Sequence, residues 1–553
     1  MHRKHVAGCA TALVLSSVVT GCSGVRATRR GRIEADGAAT ASNPVVGASA
    51  ATHSNAPVTS SASKAGSATG TSSASSAGTS SSSRSASFFA ASSAGSSSSA
   101  DPSTTFVGPL APSASKDVLS WETGEGKSYL IPALDIIGFE LLLNQFDRHV
   151  IDSETYGSDL DSIESNLEHG WVIDRDPFAI NQFGHPYQGS MYHGFARSAG
   201  LNYWWSLGYD FGGSTLWEIA GETDPPSLND EITTTFGGSF LGEALFRISN
   251  LVIESGGTHP SSLRRFSAGL ISPAAGFNRL AYGKRFDAPY PSDEAATNWS
   301  ASIGASRDAK VTDVASLGSV QEDQAIATTT VDYGLPGRTG YEYEQPFDYF
   351  HFEAGLVSNA IPENIQVRGL LVGSDYDAGD SYRGVWGLYG SYDYIAPELF
   401  SLSSTALSIG TTGQWWLGES VALQGTVMGG VGWTAIGTLA DAEEDRDYTY
   451  GYSPQALVSL RTVFGDRVAL DVTGRQVHVD GPSSVDRSGS TDVVRVQATL
   501  TVRVVGHHGL SLQFVGSRRD SALTDVDEAL QEVGTVSLMY TFLGDEDLGV
   551  VRW

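Results

Sequence analysis

Apolar and polar residues alternate along the second half of the chain. In TDVVRVQATLTVRVVG, which begins at Thr491, an apolar residue occupies every second position from Val494 to Val504. This period of two is typical of a β-strand with one apolar and one polar face. The sequence predicts about twelve such segments, which begin near Ala296, Gln324, Phe347, Glu363, Ser381, Ser404, Val421, Tyr448, Arg467, Asp492, Gly509 and Glu532.

The connections between these segments differ in length. Tight turns such as FGDR and GHHG alternate with longer acidic loops such as TLADAEEDRDYTYG. That arrangement is typical of a transmembrane barrel, and in lipid such a sheet has to close on itself. A soluble β-sandwich also alternates, but long segments with Tyr and Trp near their ends favour the barrel. We therefore predict a mainly β fold, with a transmembrane antiparallel β-barrel of about twelve strands over residues 293–553.

The segment ahead of the barrel has a helical period instead. In SYLIPALDIIGFELLLNQFDRHV, Ile131, Leu134, Ile137 and Leu141 recur at the spacing of an amphipathic helix. Helical spacing continues through residues 181–231. We predict a small helical block over residues 118–292. Because the lumen of a barrel of this size is usually filled, the block is expected to plug the lumen or to cap its periplasmic mouth.

The first residues, MHRKHVAGCATALVLSSVVTGC, combine a basic start with a short apolar run. This is the pattern of a secretory signal peptide, here residues 1–21, and the run is too short to be a membrane helix. VVTGC resembles the lipobox of bacterial lipoproteins, which makes Cys22 the candidate lipid anchor. An ordinary cleaved signal is the alternative. Residues 22–117 are rich in Ser and Ala and are predicted to be a disordered tether.

Composition and net charge restrict the classes of partner that the sequence allows. The formal net charge of −28 argues against nucleic acid, because phosphate contacts require clustered Lys and Arg. The two cysteines, Cys9 and Cys22, both lie at the signal peptide, so no disulfide and no cysteine-metal site is expected in the mature chain. The expected location is the outer membrane of a Gram-negative bacterium, with a lipid anchor. Its expected partners are outer-membrane lipid and the barrel-assembly and lipoprotein-sorting machinery. No cofactor is expected, and any small-molecule or ion partner is unknown.

Four residues of the helical block are candidates for catalysis. Glu218 and Glu222 lie one turn apart on one helix face, and Asp230 is predicted at the third position of a helix that Ser227 caps. If these acids converge with His185, they could act as acid and base, or bind a metal, because paired carboxylates move each other's pKa values apart. The alternative is structural, and no known metal-binding spacing is present.

A second set of residues is predicted to form a polar network, namely His193, Arg197, Ser214, Thr234 and Glu243. In the structural interpretation, Glu218 or Glu222 pairs with Arg197, because a buried guanidinium needs a partner. Glu243 is expected to pair with Arg247 one turn later.

Backbone features give two further expectations. Thr234, Gly238 and Gly242 form a strip of small residues that would let another helix approach closely. His185 precedes Pro186 and is therefore expected to be extended rather than helical.

The helical block also resembles a bacterial family that is catalogued only as a domain of unknown function. The resemblance rests on NQFGHPYQGSMYHGFARSAGLNYWW, STLWEIAGE, PSLNDEITTTFGGSFLGEALFR and LISPAAGFNRL, with the patterns N-x-x-x-H-P-x-x-G, A-R-x-x-G, W-E-x-x-x-E, P-S-x-x-D and G-x-x-x-G-E. It covers about Trp171 to Leu280, and YDYIAPELFSLSSTALSIGTTGQWW downstream is similar too. The family is similar to outer-membrane barrel proteins and implies no established activity. A fainter similarity to small membrane-associated families keeps a lipid-directed enzyme under consideration.

Three functions are therefore considered. The first is a structural or gated-pore protein of the envelope with a helical plug. The second is an envelope lipid-modifying enzyme that uses His185, Glu218, Glu222 and Asp230. The third is a passive diffusion channel. Fold alone does not choose among them, because barrels serve transport, catalysis and scaffolding alike.

Overall fold

The computed structural model describes residues 118–553, apart from residues 175, 314–322, 359, 397–399, 439–447, 482–488, 524–525 and 546. The predicted signal peptide, Cys22 and the predicted tether therefore lie outside the described residues. Within the described part, a helical domain precedes a β-barrel.

The described part of the helical domain contains eight α-helices. They are α1 Leu130–Val150, α2 Leu160–Glu168, α3 His185–Ser198, α4 Tyr203–Ala220, α5 Leu228–Ile232, α6 Gly238–Glu254, α7 Ser262–Ile271 and α8 Pro273–Tyr282. A π-helical turn, Ile180–Gly184, leads into α3, and another, Thr233–Gly237, joins α5 to α6. Side-chain caps start several helices; Ser227, for example, accepts a hydrogen bond from the backbone of Asp230, as the sequence predicts.

Twelve described strands close into an antiparallel barrel, as predicted. They are β1 Thr297–Asp313, β2 Asp323–Tyr333, β3 Phe350–Val357, β4 Ala360–Asp377, β5 Tyr382–Ile395, β6 Phe400–Gly418, β7 Val421–Thr438, β8 Tyr448–Phe464, β9 Val468–Gly481, β10 Gly489–Val505, β11 His508–Leu523 and β12 Val526–Leu543. β1 pairs with β12, with Ile303 opposite Tyr540, so the sheet has no free edge.

Alternate side chains of each strand face the lumen and the outside. Lumen-facing positions are polar, as at Ser300, Thr426 and Asp471. Outward positions away from the helices are apolar and exposed, as at Ile409 and Leu538. This distribution is the inverse of that in a soluble protein, and it is the one that a lipid bilayer stabilises.

The two ends of the barrel are distinguished by the chain termini. β1 begins and β12 ends at the same end, which we call the near end; β5 and β7 end, and β8 begins, at the opposite, far end. Outward-facing aromatic residues lie toward both ends, as the girdles of membrane barrels do. Those toward the near end include Trp299, Trp415, Phe464 and Phe542. Toward the far end Tyr452 is exposed, whereas Tyr394, Trp433 and Tyr448 are buried in the cluster that includes the helical domain.

The lumen is closed at the near end by the C-terminal segment, residues 544–553. Gln414 donates to the carbonyl of Val551 (2.5 Å) and accepts from its backbone N–H (3.0 Å), while Gln424 donates to the carbonyl of Gly549 (2.7 Å). Val551 packs among lumen-facing apolar side chains, which include Tyr389. The segment thus inserts a short piece of chain into the near mouth.

Apolar side chains fill part of the lumen at the far end. A buried inward-facing cluster there consists of Ile395, Phe400, Leu402, Ile436, Val477, Val479 and Val493. Between this cluster and the C-terminal segment lies a polar chamber of about 140 Å³. Its lining includes Asp332, Arg461 and Asp471. The guanidinium of Arg461 forms an ion pair with each of the two carboxylates.

The helical domain packs on the outer wall of the barrel, which corrects the prediction of a plug or a periplasmic cap. Phe178, Phe240 and Leu245 belong to one buried cluster with strand side chains that face outward, from Tyr333 on β2 to Tyr450 on β8. Outward aromatic residues on these strands offered an apolar surface that the sequence pattern could not distinguish from a lipid-facing one.

The helical domain also exposes apolar residues on the side away from the barrel. On α1, the predicted apolar stripe points outward: Leu134 is 55% and Leu141 64% exposed, whereas Asp135 and Glu140 are buried. α4 exposes Trp205 and Phe211 in the same way. Asp135, Glu140 and Asp210 are thus buried while apolar neighbours are exposed, which gives these helices a partly apolar outer surface; Arg148 and His149 at the end of α1 are also exposed. Among the described residues, no helix is long and apolar enough to cross a membrane.

Candidate functional site

Glycines hold the two central helices, α3 and α6, in close contact. A Cβ atom at Gly238 would lie 2.6 Å from the Cα of Gly189, and one at Gly242 would lie 2.7 Å from the Cβ of His193. A Cβ atom at Gly189 would collide with the carbonyl oxygen of Thr234. The predicted strip of small residues therefore lies at the α3–α6 contact, and the two π-helical turns lie beside it.

Glu243 on α6 is the centre of a buried ionic network. Its carboxylate accepts from Arg197 (2.7 Å) and from Arg247 (2.8 Å), and it lies 3.1 Å from His193 Nε2. Burial alone would raise the pKa of Glu243, but Arg197, His193 and Arg247 outweigh it and hold the pKa below its usual range. The predicted pairing of Glu243 with Arg247 is confirmed.

The predicted partner of Arg197 is wrong. Arg197 bonds Glu243 and the carbonyl of Leu201, rather than Glu218 or Glu222. The spacing of the residues on α4 could not reveal this, because the partner comes from α6, which crosses α3 at the glycine contact.

His193 also bonds Asp210 of α4, with 2.7 Å between Nδ1 and Oδ2. Burial would lower the pKa of His193, but Asp210 and Glu243 raise it to about 8. Burial raises the pKa of Asp210 to about 7. Both ring nitrogens of His193 face carboxylates, so this group has a structural partner on each side.

The candidate acids form a different cluster. Glu218 accepts from the backbone N–H of Ser227 (2.7 Å), and Glu222 accepts from the indole of Trp217 (2.6 Å). Burial, and then the neighbouring Glu222, raise the pKa of Glu218 well above its ordinary value. Burial raises the pKa of Glu222 to about 8. Glu222 therefore favours the protonated state at neutral pH, and the shift of Glu218 is in the same direction.

Asp230 is electrostatically coupled to the same cluster. Burial, and then Asp174 and Glu218, raise its pKa well above the ordinary value. Asp174 accepts from Asn181 (2.6 Å) and from Asn229 (2.7 Å), which join it to the π-helical turn and to α5.

His185 is helical, which corrects the prediction that it is extended. Its φ and ψ are −61° and −47°, at the start of α3, where the π-helical turn precedes Pro186. Its side chain is buried, and burial lowers the pKa to about 4, against the opposing effect of Asp174. The imidazole is therefore neutral at neutral pH.

Several buried polar atoms around these helices have no hydrogen-bond partner among the described residues. They include His185 Nδ1, Asn181 Oδ1, Asp210 Oδ1, Ser214 Oγ, Glu218 Oε1 and Thr234 Oγ1. Buried polar groups are nearly always bonded, so unpartnered ones indicate a site that binds something else. Ser214, one turn before Glu218, is buried and faces Glu231. We call His185, Glu218, Glu222 and Asp230 with Asp174 and Asn181 the domain site.

Side chains of the barrel wall form hydrogen bonds with residues of the domain site and its neighbours. The hydroxyl of Tyr450 accepts from Gln182 (2.6 Å) and from Asn229 (2.9 Å). Tyr448 accepts from Asn181 (3.0 Å), and Tyr392 donates to the carbonyl of Gln182 (2.6 Å). The domain site is thus anchored on outward-facing tyrosines of β5 and β8.

Sequence reasoning missed Asp174, Asn181 and Asn229 as members of this site. Asn181 begins the pattern N-x-x-x-H-P-x-x-G and lies one turn before His185, which was a usable signal. Asp174 and Asn229 lie in no periodic pattern. Among the described residues, no group of three or more His, Cys, Asp or Glu side chains has the geometry of a metal site.

Comparisons with known proteins give one family match and several similar barrel structures. Residues 170–274 match the family model described as Domain of unknown function (DUF3943), which confirms the resemblance predicted from the motifs. Comparison with curated protein sequences finds no match.

Solved structures that are similar to the barrel include three membrane proteins. The NanC porin is 7% identical, with a TM-score of 0.23, over 44% of this chain and 98% of its own. The TodX monoaromatic hydrocarbon channel, as a deltaS2 mutant, is 10% identical with a TM-score of 0.20, over 50% and 94%. The translocator domain of autotransporter NalP from Neisseria meningitidis is 14% identical with a TM-score of 0.20, over 45% and 90%.

These TM-scores are too low to support a conclusion. The closed sheet is seen directly in the structure of this chain. The chain therefore contains a closed twelve-stranded β-barrel among its described residues, and residues 170–274 of its helical domain match the model of the family described as Domain of unknown function (DUF3943).

Proposed function

We propose that this protein is an outer-membrane barrel whose helical domain hydrolyses an ester bond of an envelope lipid. The observation that carries the proposal is the position of the domain site. It lies in a helical domain that packs on the lipid-facing wall, between the wall and an outer surface that is itself partly apolar. A site placed there is within reach of lipid.

The protonation states in the domain site suit acid–base chemistry. His185 is neutral and can accept a proton, while burial raises the pKa values of Glu218 and Asp230 and so shifts both toward the protonated form, which can donate one. A site whose surroundings shift the pKa values of two titratable groups in opposite directions is typical of a general acid and a general base.

Ester hydrolysis requires only such a pair and water. His185 takes a proton from the water as its oxygen adds to the acyl carbon. The carbon–oxygen ester bond breaks, and a carboxylic acid such as Glu218 gives its proton to the departing alkoxide. The products are a fatty acid and an alcohol. The proton held by His185 then returns to the carboxylate.

The closed lumen supports the barrel as a scaffold rather than a channel. Gln414 and Gln424 hold the C-terminal segment in the near mouth, and the apolar cluster occupies the far end. The apolar outer wall and its aromatic girdles support the outer membrane of a Gram-negative bacterium as the location. Lipidation of Cys22, and the assembly and sorting machinery as partners, are part of this proposal.

The test compares cells that produce the full chain with cells that produce His185→Ala or Glu218→Gln. Envelope lipids are profiled by mass spectrometry. We expect production of the parent chain to raise a deacylated lipid at least several-fold, and each substitution to abolish the rise. Glu164→Gln, at an exposed position on α2, and His169→Ala, at the exposed residue that follows α2, are the matched controls and should retain it. Unchanged lipid profiles for the parent, with the barrel folded, would overturn the proposal.

A further inference from the structure

The polar chamber inside the barrel is lined by two kinds of charged side chain. Its volume is about 140 Å³, and serine and threonine hydroxyls supply much of its lining. Arg461 pairs with Asp332 (3.2 Å) and with Asp471 (2.5 Å), and His351 bonds the other oxygen of Asp332 (2.7 Å). These four side chains therefore have their charged partners within the barrel.

Arg368 on β4 also lines the chamber, but it has no such partner. Its side chain is only 7% exposed, and its Nε has no hydrogen-bond partner among the described residues. Within the same part of the chain, no carboxylate forms an ion pair with its guanidinium. An arginine keeps its charge in proteins, and a buried charge without a counter-ion is costly. The guanidinium therefore indicates a negatively charged group that comes from outside the chain.

Glu353 on β3 is the acidic side chain of the chamber that lacks a charged partner. Its two oxygens accept from a neutral donor, the amide of Gln497, at 3.2 and 3.3 Å. The strand register places Arg368 opposite His351 and places Glu353 opposite Gln366. Arg368 and Glu353 are therefore diagonal neighbours on adjacent strands, roughly 7–8 Å apart. The two opposite charges line one chamber, and no ion pair joins them in the described part of the barrel.

From these two side chains we infer that the chamber binds a small zwitterion, with its carboxylate on Arg368 and its ammonium group on Glu353. A guanidinium binds a carboxylate through two parallel N–H···O bonds. An anion alone would compensate Arg368 but would add negative charge beside Glu353, and a cation alone would do the reverse. A ligand that carries both charges compensates both side chains.

The volume of the chamber limits the size of this ligand. A cavity of about 150 Å³ holds a molecule as large as benzene, which has as many non-hydrogen atoms as alanine. The chemical class is therefore a small α-amino acid, of the size of glycine or alanine. The inference does not depend on lipid hydrolysis by the domain site.

The chamber is enclosed by the chain itself. Leu548 of the C-terminal segment lines it, as does Gln424, which bonds the carbonyl of Gly549 in the same segment. An amino acid in this position is held inside the lumen rather than transported. The binding site is therefore consistent with a barrel that does not conduct.

The test is equilibrium dialysis of the purified full chain in detergent against radiolabelled glycine, continued until the bound amount no longer changes. We expect saturable binding of one glycine per chain. Arg368→Gln and Glu353→Gln should each weaken binding at least tenfold, because each removes one of the two charges that hold the ligand. Arg467→Gln and Glu419→Gln, at exposed positions in near-end turns, are the matched controls and should bind glycine as the parent does.

Acetate and methylammonium each carry one of the two charges of glycine, and they test the ligand class. Each is expected to compete at least tenfold more weakly than unlabelled glycine. Acetate that competes as well as glycine would overturn the zwitterion in favour of an anion. No saturable glycine binding by the folded parent chain would overturn the site itself.

Stability against urea separates a binding role of Arg368 from a structural one. Glycine should raise the urea midpoint of the parent and leave that of Arg368→Gln unchanged. Without glycine, the substitution should not lower the midpoint, because it removes a charge that has no partner in the chain. A lower midpoint of Arg368→Gln in the absence of glycine would mean that the guanidinium supports the barrel, and its assignment to the ligand would be lost.

Discussion

The two faces of the barrel wall differ in what they hold. The inner face carries paired polar side chains, such as Arg461 between Asp332 and Asp471, and its near mouth is filled by the chain's own C-terminal segment. The outer face carries a helical domain with unpartnered buried groups, such as His185 Nδ1. Buried polar atoms without a hydrogen-bond partner among the described residues occur on the inner face as well, as at Arg368 Nε and Asn364 Oδ1, so hydrogen bonding alone does not distinguish the two faces. What distinguishes them is occupancy: the chain's own residues fill both ends of the lumen, whereas the outer face carries a separate helical domain, and the proposed function therefore treats the inside as structural and the outside as functional.

The substitution with the largest expected effect is Glu243→Ala, which should destabilise the helical domain on the outer face without unfolding the barrel. It removes the carboxylate that bonds Arg197 and Arg247 and leaves both guanidinium groups buried without it. Breaking a buried pair in this way costs about 3–5 kcal/mol. We expect the helical domain to become sensitive to protease while the barrel keeps its heat-modifiable migration in gel electrophoresis.

Glu164→Ala on α2 is the control, because that side chain is exposed, and it should leave protease resistance unchanged. If Glu243→Ala also abolished the heat-modifiable barrel band, the two faces would be a single folding unit, and the comparison between them would fail.

A smaller effect is expected where the two regions meet. Tyr450→Phe removes the hydroxyl that accepts from Gln182 and Asn229, leaving two buried donors with one acceptor fewer. The cost should be about 1–3 kcal/mol in the stability of the helical domain, measured as protease resistance against urea concentration.

Tyr452→Phe is the matched control. Tyr452 lies on the same face of β8 but is 67% exposed, so its hydroxyl should contribute little. Equal effects of the two substitutions would mean that the tyrosine hydroxyls do not anchor the domain.

The barrel was predictable from the sequence because a period of two follows directly from strand geometry. Alternation such as that from Val494 to Val504 survives in any context that has one apolar and one polar face. The position of the helices was not predictable in the same way. Tyr450 and Tyr452 have the same periodic position and residue type, yet one is covered by helices and the other faces outward.

The domain site was predictable only in part. His185, Glu218, Glu222 and Asp230 were found because acids and histidine at helical spacing are recognisable locally. Whether these four act in catalysis stays a prediction. The contacts that distinguish them from a structural network depend on helix crossings. Arg197 finds Glu243 rather than Glu218 only because glycines bring α3 and α6 together. Such pairings are set by tertiary packing and leave no local pattern.

The smallest expected effect is no change at all, and it is measured as the conductance of the protein in a planar bilayer. Removal of residues 120–290 should leave the barrel as electrically silent as the full chain. The reason is that the helices lie on the outer wall, whereas the lumen is closed by Gln414 and Gln424 with the C-terminal segment and by the apolar cluster around Phe400. Truncation after Gly544 is the comparison that acts on the lumen itself. Conductance steps that appear only when the helices are removed would mean that they do plug the lumen, and the separation between a structural inside and a functional outside would be lost.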